Sequence, residues 1–282
     1  MKKFVMIIDV AKCNNCNACV VSVKDEYVGN DFSGYSAAQP KLGHTWLRVD
    51  RLSRGSGTMV DFTYVPTMCN HCENAPCVKA AGDGSVYQRS DGIVIMDPVK
   101  TKGRSDIVKS CPYGMISWND EKEIPQTWIF DAHLIDSGWD KPRCVNSCPS
   151  GCFEVRQVTD EEFAALETSP AYSPRNERLR ATRPRILYKN FDKAKTAFVG
   201  GNVTTTRDSR KFNVEGAVVS LHKDNNQIKE ARTDIFGDFR FDSLPYNSGK
   251  YTVAIVDSGR KPVFSKHIDV AADCVVMDEI SI

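Results

Sequence analysis

Cys13, Cys16 and Cys19 form C-x2-C-x2-C directly after an apolar stretch, and far downstream Cys148 stands in a Cys-Pro pair. Cys69, Cys72 and Cys77 form C-x2-C-x4-C, followed by Cys111, again before proline. Three close thiols with one remote Cys-Pro make a ligand arrangement for a [4Fe–4S] cluster, the fourth thiolate arriving from elsewhere in the fold. Two complete sets predict two clusters and, with them, the handling of electrons. Zinc is the competing use of C-x2-C pairs, but it calls for two facing pairs or added histidines. The triplets fit a cubane better. His71, between Cys69 and Cys72, is expected to cap a loop or to hydrogen-bond a cluster sulfur and so tune its potential. Cys152 and Cys274 read as buried small apolar side chains, with Cys152 the alternative to Cys148 as a ligand. Asp131 with His133, or His44 near Trp46, gives no nucleophile, base and orienting group in one place. No catalytic residue is expected in this chain.

Such thiols need rigid elements to gather them. Apolar or alternating runs predict strands over 4–10, 46–49, 62–65 and 116–118, and a hairpin over 86–96 turning at Asp91-Gly92. Short helices are expected after Cys19, Cys77 and Arg143, because each ligand loop must turn tightly and then stop. The fold class expected is α+β: residues 1–158 as two interleaved bacterial-ferredoxin-like units, one of them (about 60–115) inserted into the other. Residues 159–197 read as a basic, extended connector carrying Arg178, Arg180, Arg183, Arg185 and Lys189, with a helix over 159–167 capped at Thr159. Residues 198–282 show seven short alternating runs separated by turns such as Asp224-Asn225-Asn226, Asn247-Ser248-Gly249 and Ser258-Gly259, the pattern of a β-sandwich. The strings Glu215–Leu221, Thr233-Asp234 with Gly237, Phe239 and Phe241, and Leu244-Pro245 resemble transthyretin-like and carboxypeptidase-regulatory-like sandwiches.

A net charge of +1 and a pI near 7.5 give no reason to expect nucleic acid or an anionic membrane as partner. No eighteen-residue apolar stretch exists, so no membrane span is expected. Met1-Lys2-Lys3 leads into a short apolar run broken by Asp9, without a cleavage site or twin arginine. This predicts a cytoplasmic protein without a signal peptide. An odd count of eleven cysteines in a chain of this size argues against a disulfide framework. Readily oxidised thiols suit an anaerobic setting.

Over residues 1–158 the cysteine groups resemble those of the four-cluster electron-transfer subunits of molybdopterin oxidoreductases. Set against that pattern, Val23 stands where the first group's fourth thiol belongs, and Trp128 and Asp131 replace two thiols of its partner group, which keeps Cys144. Asp131 with Cys144 is the candidate for a degenerate third centre. Ala81, Thr101, Arg104 and Ile107 replace a second set completely. Two sets are thus whole, one empty and one nearly so, as expected if ligands disappear together with their cluster.

Three further strings, Arg183–Asn190, Met68–Cys77 and Tyr87–Val94, together with the C-terminal β-module, extend the resemblance to nearly the whole chain. In this the chain resembles the small iron–sulfur subunits of pyrogallol–phloroglucinol transhydroxylase-like molybdopterin oxidoreductases. That resemblance implies a large partner subunit carrying molybdenum with two pterin guanine dinucleotides, where phenolic substrates undergo hydroxyl transfer, hydroxylation or dehydroxylation. It implies a non-catalytic iron–sulfur role here, and three clusters in the family, of which Val23, Trp128 and Asp131 remove one. The alternative is a scaffold whose clusters only staple the fold and whose sandwich binds or shields the partner. By the same resemblance, the two whole sets would be the ends of a relay and the lost pair its middle.

Overall fold

The computed structural model describes residues 2–256 and 262–282; the expected turn at Ser258-Gly259 lies outside them. The chain divides into two compact units, one of Met1–Arg51 with Tyr64–Phe191 and one of Leu52–Thr63 with Asp192–Ile282. No helix among the described residues is long and apolar enough to cross a membrane.

The first unit begins with strand β1 (Lys3–Asp9), whose interior is buried without alternation. Its place explains that run: β1 is the centre of a three-stranded sheet, covered on both faces. Helix α1 (Ala18–Tyr27) follows the first cysteine loop, and β2 (Leu47–Ser56) and β3 (Met59–Met68) make a long hairpin that continues into the second unit. Then come α2 (Pro76–Ala81) and the small hairpins β4 (Val86–Gln88) with β5 (Val94–Met96) and β6 (Ser117–Asn119) with β7 (Ile124–Gln126). The short helices α3 (Ala132–Asp136) and α4 (Arg143–Asn146) precede β8 (Phe153–Val158), α5 (Asp160–Thr168) and β9 (Ile186–Lys189). Strand β8 pairs antiparallel and β9 parallel with β1. Val5, Ile7 and Leu187 pack with Phe163 of α5, while Phe4 meets the Phe130 ring 5.2 Å away. Successive β1 side chains thus serve opposite faces.

Residues 159–191 are part of this unit, which corrects the reading of 159–197 as an extended surface connector. Thr159 caps α5 with a full capping box shared with Glu162. Because β9 joins the sheet, the preceding Arg185 is carried inward, where it pairs with Glu73 and lies over the Phe163 ring at 4.4 Å. Arg183 pairs with Glu167 at 2.7 Å. Those two members of the basic run therefore bind neighbouring carboxylates.

The second unit holds β10 (Thr196–Arg207), β11 (Arg210–Asn213), β12 (Val218–Lys223), β13 (Asn226–Arg232), β14 (Asp238–Pro245), β15 (Gly249–Val256), β16 (Pro262–Val270), β17 (Val275–Val276) and β18 (Ile280–Ser281). One sheet has the order β11-β10-β14 with β17 and β18 also on β10, and the other runs β13-β12-β15-β16. Val199, Phe239 and Phe241 of one sheet share a core with Val219, Leu221, Val253 and Ile255 of the other. The turn between β12 and β13 places Asp224 and Asn225 at φ +50° and +64°, a conformation Asn and Asp tolerate and tight hairpins require. In the outer β2–β3 hairpin Gly55 sits at φ +85°, where a Cβ would meet the Met59 carbonyl oxygen at 2.2 Å. Only glycine fits there.

Asp61 is the acidic hub of this unit. It accepts hydrogen bonds from Arg54 at 2.9 Å and from Arg240, and both guanidinium groups lie over the Phe198 ring. The Arg240 hydrogen bond, aided by Arg54 and opposed by burial, holds the Asp61 carboxyl at about 2 against its ordinary 3.8. A depressed carboxyl contributes stability that is whole above the unfolded value and is lost as pH falls through the folded one. Asp61→Asn is therefore expected to lower the melting temperature of the complex near pH 6. The gap from the parent should narrow as pH falls from about 4 toward 2; equal gaps at pH 6 and pH 3 would contradict this role.

Candidate metal centre

The first loop leaves β1 through a short 3-10 turn whose Ala11 N–H is accepted by Asp9, and Cys13 N–H donates to Val10 O at 3.2 Å. Asn15 and Asn17 both adopt positive φ, bending the chain so that Cys16 is exposed while Cys19, at the start of α1, is buried. Cys148 follows α4. Helices α1 and α4 lie side by side, with Ser147 donating to Ser22 at 3.0 Å. Arg143 pairs with Asp25 at 2.9 Å and also with Glu26. Cys19 is surrounded by Cys13, Cys148 and Cys16; burial first, and then these sulfurs, push its thiol up to about 12. The four thiols of the first set are therefore neighbours.

The second loop continues β3. Cys77, Cys111 and Cys72 are the thiol neighbours of Cys69, and burial pushes the Cys69 thiol well above its ordinary range. Pro76 opens α2 at a position where the missing N–H costs nothing, and Cys77 follows it. Cys111 comes after a 3-10 turn and accepts from Met115 N–H at 3.5 Å. Burial, then neighbouring sulfurs, raise Cys72 to about 12 and Cys77 to about 11. Neighbouring soft thiols, of which Cys69, Cys72 and Cys77 are kept protonated by burial and by one another, suit a soft, positively charged iron–sulfide core, which would hold all four as thiolates. On this chemistry both sets fit a [4Fe–4S] cluster. Among the described residues, no three His, Cys, Asp or Glu side chains close on a single metal ion.

The other candidate residues have different work. His71 Nδ1 accepts from Val94 N–H at 3.1 Å and lies 4.0 Å from Cys69 Sγ. Burial holds its imidazole neutral, at about 3. It anchors β5 to the cysteine loop and meets Trp128 in a tilted and Phe130 in an edge-on arrangement, each 5.6 Å between ring centres. Cys274 is half-buried against the core of the second unit. Cys152 is buried beside Cys148, with the sulfurs 3.5 Å apart. His44 contacts Trp118 O at 2.6 Å, and His133 pairs with Glu26 at 2.7 Å.

Where the third set of thiols is missing, a side-chain network fills the interior. Asp131 is fully buried; its Oδ1 accepts from Tyr27 at 2.7 Å and Trp128 at 3.0 Å, and its Oδ2 from Arg143 N–H at 2.8 Å. Val23, Trp128 and Cys144 are buried as well. Tyr27, the α1 residue that addresses this carboxylate, carries no cysteine-pattern signal, so sequence reasoning misses it. Neighbours link Cys69 through His71 and Trp128 to Asp131, and Asp131 and Cys19 are electrostatic neighbours of Cys144. This network therefore lies on a path between the two whole sets. At the emptied site, Ala81 and Ile107 pack with Cys72, Cys77 and Cys111, while Arg104 reaches Asp83 and Asp106 near the surface.

The sequence profile of a 4Fe-4S dicluster domain matches residues 60–158. The chain is 38% identical over its full length to the pyrogallol hydroxytransferase small subunit of Pelobacter acidigallici, of which it covers 97%. It is 25% identical to the iron–sulfur subunit of arsenate respiratory reductase from a Shewanella species, over 68% of this chain and 98% of that one. The electron transfer subunit of thiosulfate reductase from Salmonella typhi is 29% identical, over 57% of this chain and 79% of the relative.

Proposed function

The chain belongs to the pyrogallol hydroxytransferase small-subunit family of iron–sulfur proteins, and from that premise we propose that it is the non-catalytic iron–sulfur subunit of a cytoplasmic molybdopterin enzyme acting on phenolic aromatics. It holds one [4Fe–4S] cluster on Cys13, Cys16, Cys19 and Cys148 and a second on Cys69, Cys72, Cys77 and Cys111. The observation that carries this reading is the contrast between two complete sets of neighbouring thiols and two lost sites occupied by packed side chains. The catalytic partner supplies molybdenum with two pterin guanine dinucleotides. The second unit is a transthyretin-like module without a catalytic role.

Each cluster, when bound, takes up or gives one electron. The chain's own residues hold the thiolates, bury Cys72 of the second set and fix Cys111 and Cys148 by backbone N–H donors. Cys16 is exposed and Val21 of the following helix α1 is 64% exposed, so the first set is the one that faces the partner. A gap between the clusters suits a reaction with no external electron donor, such as hydroxyl transfer between phenols.

Anaerobic purification with the partner, followed by iron and acid-labile sulfide analysis, tests the reading. About eight of each per small chain, after subtracting the partner's share, is expected from two cubanes. About twelve would place a cluster at Asp131 and Cys144. Zinc in place of iron would remove the electron-transfer role.

A further inference from the structure

The first set has a fifth sulfur beside it. Cys152 stands at the start of β8, and its position is set by the sheet: its carbonyl accepts from Asp9 N–H at 2.8 Å, and Phe153 is in register with Ile8. The side chain is buried. Around Cys148 Sγ lie three potential donors, the Cys152 N–H at 3.4 Å, the Cys152 thiol at 3.5 Å and the Ser150 hydroxyl at 3.5 Å. Cys13, another member of the set, is also a side-chain neighbour of Cys152. A cysteine that ligates iron has no proton and can only accept. In the loaded protein the shared proton of this pair must therefore stay on Cys152 and point toward its neighbour.

We propose that Cys152 is not a ligand but an S–H donor to the ligand sulfurs of the first cluster, Cys148 foremost, and that it raises the reduction potential of that cluster. Donors to ligand sulfur draw electron density from the cluster and favour its reduced, more negative state. The backbone N–H would be present with any residue at 152, whereas the S–H belongs to cysteine. This inference rests on the assignment of Cys13, Cys16, Cys19 and Cys148 as ligands.

The test is a redox titration of the anaerobic holo-complex followed by electron paramagnetic resonance, with iron counted on the same samples. The first cluster is identified as the signal altered by Cys16→Ser. Cys152→Ala is expected to shift the first midpoint to a more negative value, changing its reduction equilibrium severalfold, with the second midpoint and the iron content unmoved. Cys152→Ser, which keeps an O–H donor, should recover most of the shift. Midpoints unmoved in Cys152→Ala would overturn the donor role. Loss of about half of the iron in that variant would overturn it too, by making Cys152 a ligand. A parent protein without the first signal would instead overturn the ligand assignment itself, and the donor role with it.

Discussion

After a pulse that delivers one electron to the complex, exchange between the two clusters is expected to be slow, with the electron remaining largely where it first arrives. Tunnelling rates fall exponentially with distance, and the site between the two sets is filled by Trp128, Asp131, Tyr27 and Val23, with Cys144 as its one thiol. The aromatic rings there are no substitute for a cluster: oxidising or reducing a neutral Trp or Tyr side chain requires far more energy than a cubane couple provides. The converse variant carries Val23→Cys, Trp128→Cys and Asp131→Cys, which with Cys144 restores four thiols. Iron should rise from about eight to about twelve per chain, and exchange should become fast. Rapid exchange in the parent protein would show that the gap is not a barrier, and a triple variant that takes up iron without faster exchange would place the gap elsewhere.

The second large effect is expected from Asp131→Ala. Tyr27, Trp128 and the Arg143 N–H all donate to one buried carboxylate, and removing it leaves two buried donors and one part-buried donor without an acceptor. At about 1–3 kcal/mol for each unsatisfied buried group, the loss should reach at least about 2 kcal/mol, or a fall in melting temperature of roughly 4–8 °C for a unit of this size. Asp131→Asn should lie between: its oxygen still accepts from Tyr27 and Trp128, but its amide N–H₂ meets the Arg143 N–H. Burial pushes the Asp131 carboxyl above its ordinary 3.8, against the pull of Tyr27, Arg143 and Trp128. With a raised carboxyl the linkage runs opposite to that of Asp61. Its share of stability is whole below the unfolded value and declines as pH rises through the folded one. Calorimetry of the anaerobic complex would decide; an alanine variant as stable as the parent would mean that water or repacking replaces the carboxylate.

The parts of the fold with a strong local pattern were legible in the sequence. The cysteine spacings located both loops, the unbroken apolar run located β1, and Thr159 marked the start of α5. The alternation Tyr251, Val253, Ile255 marked one inner face of the second unit. What was not legible depends on distant partners. Strand β9 follows Arg183-Pro184-Arg185, which reads as a solvated basic segment until Glu73 and Phe163 are placed beside it. The Asp131 hub needs Tyr27, 104 residues away. Nor does residue order reveal that His71 of the second cysteine loop meets Trp128.

The two thiol sets differ in when they can close during biosynthesis. Cys69, Cys72, Cys77 and Cys111 belong to one continuous stretch, so a ribosome that has released this stretch has released a complete binding site. The first set is split across the chain: Ser22 and Ser147, which bring α1 and α4 together, are 125 residues apart, and β1 has no sheet partner until β8 and β9 emerge. Cys13, Cys16 and Cys19 therefore leave the ribosome early and wait as unpaired thiols until α4 and Cys148 follow. Loop closure over such a span also slows folding. Synthesis thus has a built-in order: the second thiol set can be gathered before the first.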